Sequence, residues 1–233
     1  VGHPLFERLA DQPPDAEAVA AIRAKGEPVL AVLPGSRRHV VGEVLPGQLE
    51  VARRLGERFD RLHVGVSVAN PQVAPVIEAV LGRSGVGANC YVDRNADLLT
   101  AADLALVASG TATLEVAYRH TPMIVMYNAN RWFYHLVARW LISTPHLSLI
   151  NILADRRIVP EFMPYYRSID PIAEQAATLL ADADARRKMS AELAALLDPL
   201  VKIGAAKNAA KILLEMIDSP SPPGGPTPHP PSD

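Results

Sequence analysis

The chain has 233 residues, 49% of them hydrophobic and 21% charged, with a formal net charge of −2. That length sets one large or two small domains with ample apolar material for a core, and the weakly acidic balance excludes the basic surface that nucleic acid demands. A single cysteine, Cys90, excludes a disulfide framework and suits a reducing compartment. No two histidines stand at zinc-ligand spacing, no apolar run is long enough to span a bilayer, and no signal peptide is read.

Residues 1–12, opening Val1-Gly2-His3-Pro4-Leu5, read as the end of a connection from a preceding domain. Asp15 to Lys25 reads as a helix, introduced by Pro13-Pro14 and stopped by Gly26. Pro28 to Leu33 is a continuous apolar run, suited to a strand covered on both faces. Pro34-Gly35-Ser36-Arg37-Arg38-His39 follows, and then Leu45, Leu49, Ala52 and Leu55 recur at helical spacing within Val44 to Phe59. The turn between them carries two guanidinium groups suited to bidentate phosphate binding; the plainer reading is a pair of solvated loop charges.

Leu62 to Val68 reads as the next strand and Pro71 to Leu81 as the next helix. Cys90 to Val92 is a short strand, and Asn95 to Ala102 a short helix whose Asp97 and Asp103 read as caps and solvated faces. Leu104 to Ala108 is an apolar run of buried-strand length, broken by Ser109-Gly110-Thr111 and followed by a helix over Ala112 to Arg119. Such a turn aims backbone N–H groups at one point, which favours an anion there. Glu115, one turn into the helix, is placed to accept from a ribose or sugar hydroxyl. The plainer reading is an ordinary turn with Ser or Thr as N-cap.

Pro122 to Tyr127 is another strand. In Asn130 to Leu141 an apolar stripe of Trp132, Phe133, Leu136, Val137, Trp140 and Leu141 suits either a helix packed on the sheet or one lying in a membrane interface. Leu147 to Arg157 reads as a strand entering a loop, with Asn151 as a ligand contact or a turn residue. Pro171 to Ala181, with Asp170 as N-cap, Ala185 to Leu197 and Ala205 to Ile217 read as helices. The tail 219–233 holds seven of the 21 prolines and almost no apolar side chain, so it is expected to be disordered.

Strands alternating with helices predict an α/β fold, a doubly wound Rossmann-like parallel sheet over residues 13–218. Both glycine-containing turns lie at carboxyl ends of strands, where such sheets bind ligands. Neither holds G-x-G-x-x-G or the P-loop pattern, which disfavours NAD, FAD and ATP hydrolysis.

Five stretches together resemble the lipid-A-disaccharide synthase family: VGHPL at 1–5, LPGSRR at 33–38, ASGTATLEVA at 108–117, PMIVMY at 122–127 and LINILADRRIVPEF at 149–162. The resemblance implies the second, nucleotide-binding domain of a two-domain (GT-B type) inverting glycosyltransferase. That family joins UDP-2,3-diacylglucosamine to 2,3-diacylglucosamine 1-phosphate, forming a β-1,6 disaccharide and releasing UDP. It implies a role in lipid A synthesis for a cytoplasmic protein, peripheral on the inner membrane. Site residues then follow: Arg37 for leaving-group stabilisation; Gly35, Ser36, Ser109, Gly110 and Thr111 for phosphates and uridine; Glu115 and Asn151 for the ribose or its surroundings. No metal or other cofactor is expected.

Two features depart from the family pattern. Ile150 and Asp155 stand where the family has Pro and Gly around Asn151 to Ala154. The acceptor domain, with its aspartate base, has no counterpart in this sequence, so this stretch alone is not expected to catalyse. Competing readings are another UDP-sugar enzyme of the same fold, an epimerase or a muramyl-pathway transferase, and a non-catalytic nucleotide-binding module.

Overall fold

The computed structural model of the chain describes residues 4–128, 146–201 and 210. Among the described residues six strands, β1 (Val29–Leu33), β2 (His63–Val68), β3 (Asn89–Val92), β4 (Leu104–Ala108), β5 (Met123–Met126) and β6 (Glu161–Phe162), form one sheet in the order β3-β2-β1-β4-β5-β6. Every pairing is parallel. Parallel neighbours need a crossover, and helices supply it here. Strands β1, β2, β4 and β5 are buried along their whole length, which is why they read as unbroken apolar runs.

From β1 the chain winds outward through β2 to β3, then returns to the centre and winds the other way through β4, β5 and β6. The reversal falls between β1 and β4, whose register sets Leu33 beside Val107. A doubly wound sheet opens a crevice at that point, beyond the carboxyl ends of the two strands.

The helices are α1 (Pro4–Ala10), α2 (Ala16–Arg23), α3 (Arg38–Gly56), α4 (Ala74–Ser84), α5 (Asn95–Ala101), α6 (Ala112–Tyr118), α7 (Leu149–Ala154), α8 (Asp170–Ala181) and α9 (Ala183–Leu197). The longest among the described residues, α3, buries Val41, Leu45, Leu49 and Ala52 against the sheet. Its buried Gln48 donates to Leu33 O at 3.3 Å and Leu106 O at 3.1 Å, tying β1 to β4 just below the crevice. Arg54 of α3 and Arg58, just past its C-terminal end, pair with Asp170 and Glu174 and so hold α8 alongside.

Several expectations change. Residues 4–10, within the stretch read as the end of a connection, form a helix: Phe6 and Leu9 are buried, and Phe6 stacks on Tyr118 at 5.9 Å between ring centroids. Helix α3 starts at Arg38, not Val44, because Val40 and Val41 extend the same buried face as Val44 and Leu45. Leu149–Ala154 is a helix, not a strand: the Ser148 hydroxyl caps it, accepting from Asn151 N at 3.4 Å, and Asp155 ends it in the left-handed region at φ 50°. Asp170 is the first helical residue and not the N-cap; its amide donates to Ser168 Oγ at 3.1 Å.

Asp97 and Asp103 do not stand on fully solvated faces, Asp103 being half-buried. Asp97 is buried and accepts from Asp15 N at 2.7 Å, while Asp103 accepts from Val29 N at 2.8 Å. The expected helices Asn130 to Leu141 and Ala205 to Ile217, Ala210 apart, lie outside the described residues, as does the tail. Among the described residues no helix is long and apolar enough to cross a membrane.

Candidate functional site

Two turns meet over the crevice. The first follows β1. Gly35 sits at φ 105°, a conformation that side chains strongly disfavour, and a Cβ there would lie 3.2 Å from Val40 Cγ1 and 3.8 Å from Ala108 Cβ. The β1 turn therefore rests on the end of β4. Asn70, beyond β2, donates through Nδ2 to Ser36 O at 3.0 Å and fixes the outer side of this turn.

Arg37 is the N-cap of α3, with no side-chain cap bond and no acidic residue in the first turn. A 19-residue helix thus opens beside the crevice with its leading amides uncapped, next to an exposed guanidinium. Both attract an anion.

The second turn follows β4. Gly110 lies at φ 135°. Thr111 holds the N-cap position of α6, yet its hydroxyl makes no cap bond. The ordinary capping role is not filled by Ser109 or Thr111; Thr113 Oγ1 instead bonds back to Gly110 O at 2.8 Å.

Together the turns wall a cleft of about 950 Å³. Gly35, Ser36, Arg37, Ser109, Gly110, Thr111 and Glu115 all line it. Asn151 does not. It is fully buried elsewhere and its side chain is consumed internally: Oδ1 accepts from Ile158 N at 2.8 Å and Val159 N at 3.0 Å. Its Nδ2 donates to Val159 O at 2.9 Å and Glu161 Oε2 at 3.1 Å. Asn151, within α7, thereby shapes the segment between α7 and β6.

The far wall was not legible in the sequence. Arg94, Asn95 and Ser67 also line the cleft. Arg94 pairs with Asp97 at 2.6 Å and faces Asp15 at 4.0 Å. Asn95 accepts from Ser67 Oγ at 2.6 Å and donates to Glu115 Oε1 at 3.1 Å. Among the described residues no group of three or more His, Cys, Asp or Glu side chains is placed to hold a metal ion.

A cleft of this size, lined by guanidinium, hydroxyl and carboxylate groups and by two glycine turns, suits a nucleotide-sugar. A family model described as lipid-A-disaccharide synthetase matches residues 1–215. The chain belongs to that family. The lipid-A-disaccharide synthase of Geobacter sulfurreducens is 33% identical over 218 residues, which are 93% of this chain and 56% of that protein. The chain thus spans just over half the length of the curated relatives it matches.

Two solved structures share the fold. WaaG, a glycosyltransferase involved in lipopolysaccharide biosynthesis, superposes with a TM-score of 0.58 at 18% identity, over 90% of this chain and 54% of its own. The C-terminal domain of the group 1 glycosyl transferase LpcC from Francisella tularensis gives 0.54 at 13% identity, over 84% of this chain and 98% of its own. The lipid-A-disaccharide synthetase family chain is therefore a doubly wound α/β domain, and the cleft lies at its topological switch point.

Proposed function

We propose that the cleft binds the uridine diphosphate part of UDP-2,3-diacylglucosamine. On this reading the protein acts as a lipid-A-disaccharide synthase, moving the diacylglucosaminyl group to 2,3-diacylglucosamine 1-phosphate with release of UDP. The carrying observation is that seven of the eight residues expected to bind the donor line one cleft, among them Arg37 at the opening of α3 and Glu115 on α6.

The roles follow from charge. As the bond from the anomeric carbon to the β-phosphate oxygen breaks, negative charge grows on the diphosphate. Arg37 and the uncapped amides of α3 lie where they neutralise it, and the amides, held in the helix, need little rearrangement. Gly35 and Gly110 let the backbone approach the phosphates, with Ser36, Ser109 and Thr111 adding hydroxyl donors. Glu115 accepts from the ribose hydroxyls. The base that activates the acceptor hydroxyl belongs to the acceptor domain of the full-length protein, which works at the inner-membrane surface where its acylated substrates reside.

Product analysis of the full-length protein with acylated and unacylated UDP-glucosamine donors tests this reading. Disaccharide formed from the acylated donor, reduced on the order of 10²-fold in kcat by Arg37→Ala, supports it. Unchanged turnover in that variant refutes the role of Arg37.

A further inference from the structure

Glu115 carries a flexible side chain at the edge of a wide cleft, and the sequence offers nothing nearby to aim it. The fold supplies that constraint from two distant elements. Asn95, at the start of α5, donates Nδ2–H to Glu115 Oε1 at 3.1 Å, and the Ser67 hydroxyl at the end of β2 donates to Asn95 Oδ1 at 2.6 Å. Ser67 is 2% exposed, so its hydroxyl has little water to turn to.

The relay has one sense. Were the Asn95 amide reversed, its oxygen would face a carboxylate oxygen at 3.1 Å, two acceptors with no proton between them. With the amide held, Glu115 Oε1 is anchored, and Oε2 has no protein donor among the described residues. All three residues line the cleft.

We propose that Asn95 is a positioning residue, steered by Ser67, that orients the Glu115 carboxylate toward the two vicinal hydroxyls of a ribose. This rests on the reading that the cleft binds UDP. It makes Asn95 and Ser67 determinants of selectivity for a ribonucleotide over one lacking those hydroxyls.

The test is an equilibrium titration of the chain and its variants with UDP and with 2′,3′-dideoxyuridine diphosphate. Asn95→Ala weakens UDP about tenfold and leaves the dideoxy ligand unchanged, and its effect is not additive with Glu115→Gln. Asn95→Asp, which keeps the shape but sets a second carboxylate against Glu115, weakens UDP more than Asn95→Ala does. Ser67→Ala gives a smaller loss in the same direction.

The unchanged dideoxy affinity also reports that each variant is folded. Equal UDP affinity in wild type and Asn95→Ala, additive effects, or parallel loss of both ligands would overturn the positioning role while leaving the UDP site standing. Failure of the wild-type chain to bind UDP would overturn both.

Discussion

Gly110 shows how closely backbone and site are coupled at the scale of one residue. At φ 135° it occupies a region that only glycine enters cheaply. Gly110→Ala is expected to cost about 1–3 kcal/mol of stability and to move the turn that presents Ser109 and Thr111; a thermal melt beside a UDP titration shows both losses together. Asn151 gives the opposite case. Asn151→Ala strands the amides of Ile158 and Val159 and should cost about 3 kcal/mol, with UDP affinity unchanged in the folded protein. A lowered UDP affinity in that variant would restore Asn151 to the site. The two glycines and Arg37 were legible because small residues and a guanidinium directly follow apolar runs. Asn151 is the one candidate that does not line the cleft, and residue type alone does not disclose that it is buried. Asn95 and Ser67 were missed because their partners lie 20 and 28 residues away, a proximity created only by the sheet.

Among elements, the segment from α7 to β6 is expected to respond to pH through Glu161. Burial of Glu161 raises its pKa, but bonds from Ser148, Asn151 and the Leu147 amide outweigh burial and hold the group below its ordinary value of 4.5. A carboxylate depressed in the fold stabilises it fully above its unfolded value, and that contribution disappears as pH falls through the lower folded value. Stability of the wild type should therefore decline below about pH 4.5, and Glu161→Gln should flatten that limb. Denaturant titrations at stepped pH compare the two slopes, and equal slopes would exclude Glu161 as a source of the decline. This region was also the least legible. A short apolar run such as Leu149 to Ala154 fits a strand or a helix equally well, and the Ser148 cap decides between them only once Glu161 has fixed the Ser148 amide, at 2.9 Å. Strand β6, two residues long, leaves no pattern to read.

For the whole molecule, the alternation of strands and helices was enough to foresee a doubly wound sheet, because buried parallel strands leave continuous apolar runs. Strand order was not, since it depends on which edges pair. The observed order places the turns after β1 and β4 side by side, and that adjacency turns two unremarkable glycine turns into one cleft. The central claim is that both turns grip a single pyrophosphate. Isothermal calorimetry of the chain with UDP tests it most directly. One equivalent of UDP should bind, with affinity lowered about tenfold or more in Arg37→Ala, as expected for loss of a charge-assisted phosphate contact. No heat with the wild type, or the same dissociation constant in both proteins, would contradict it.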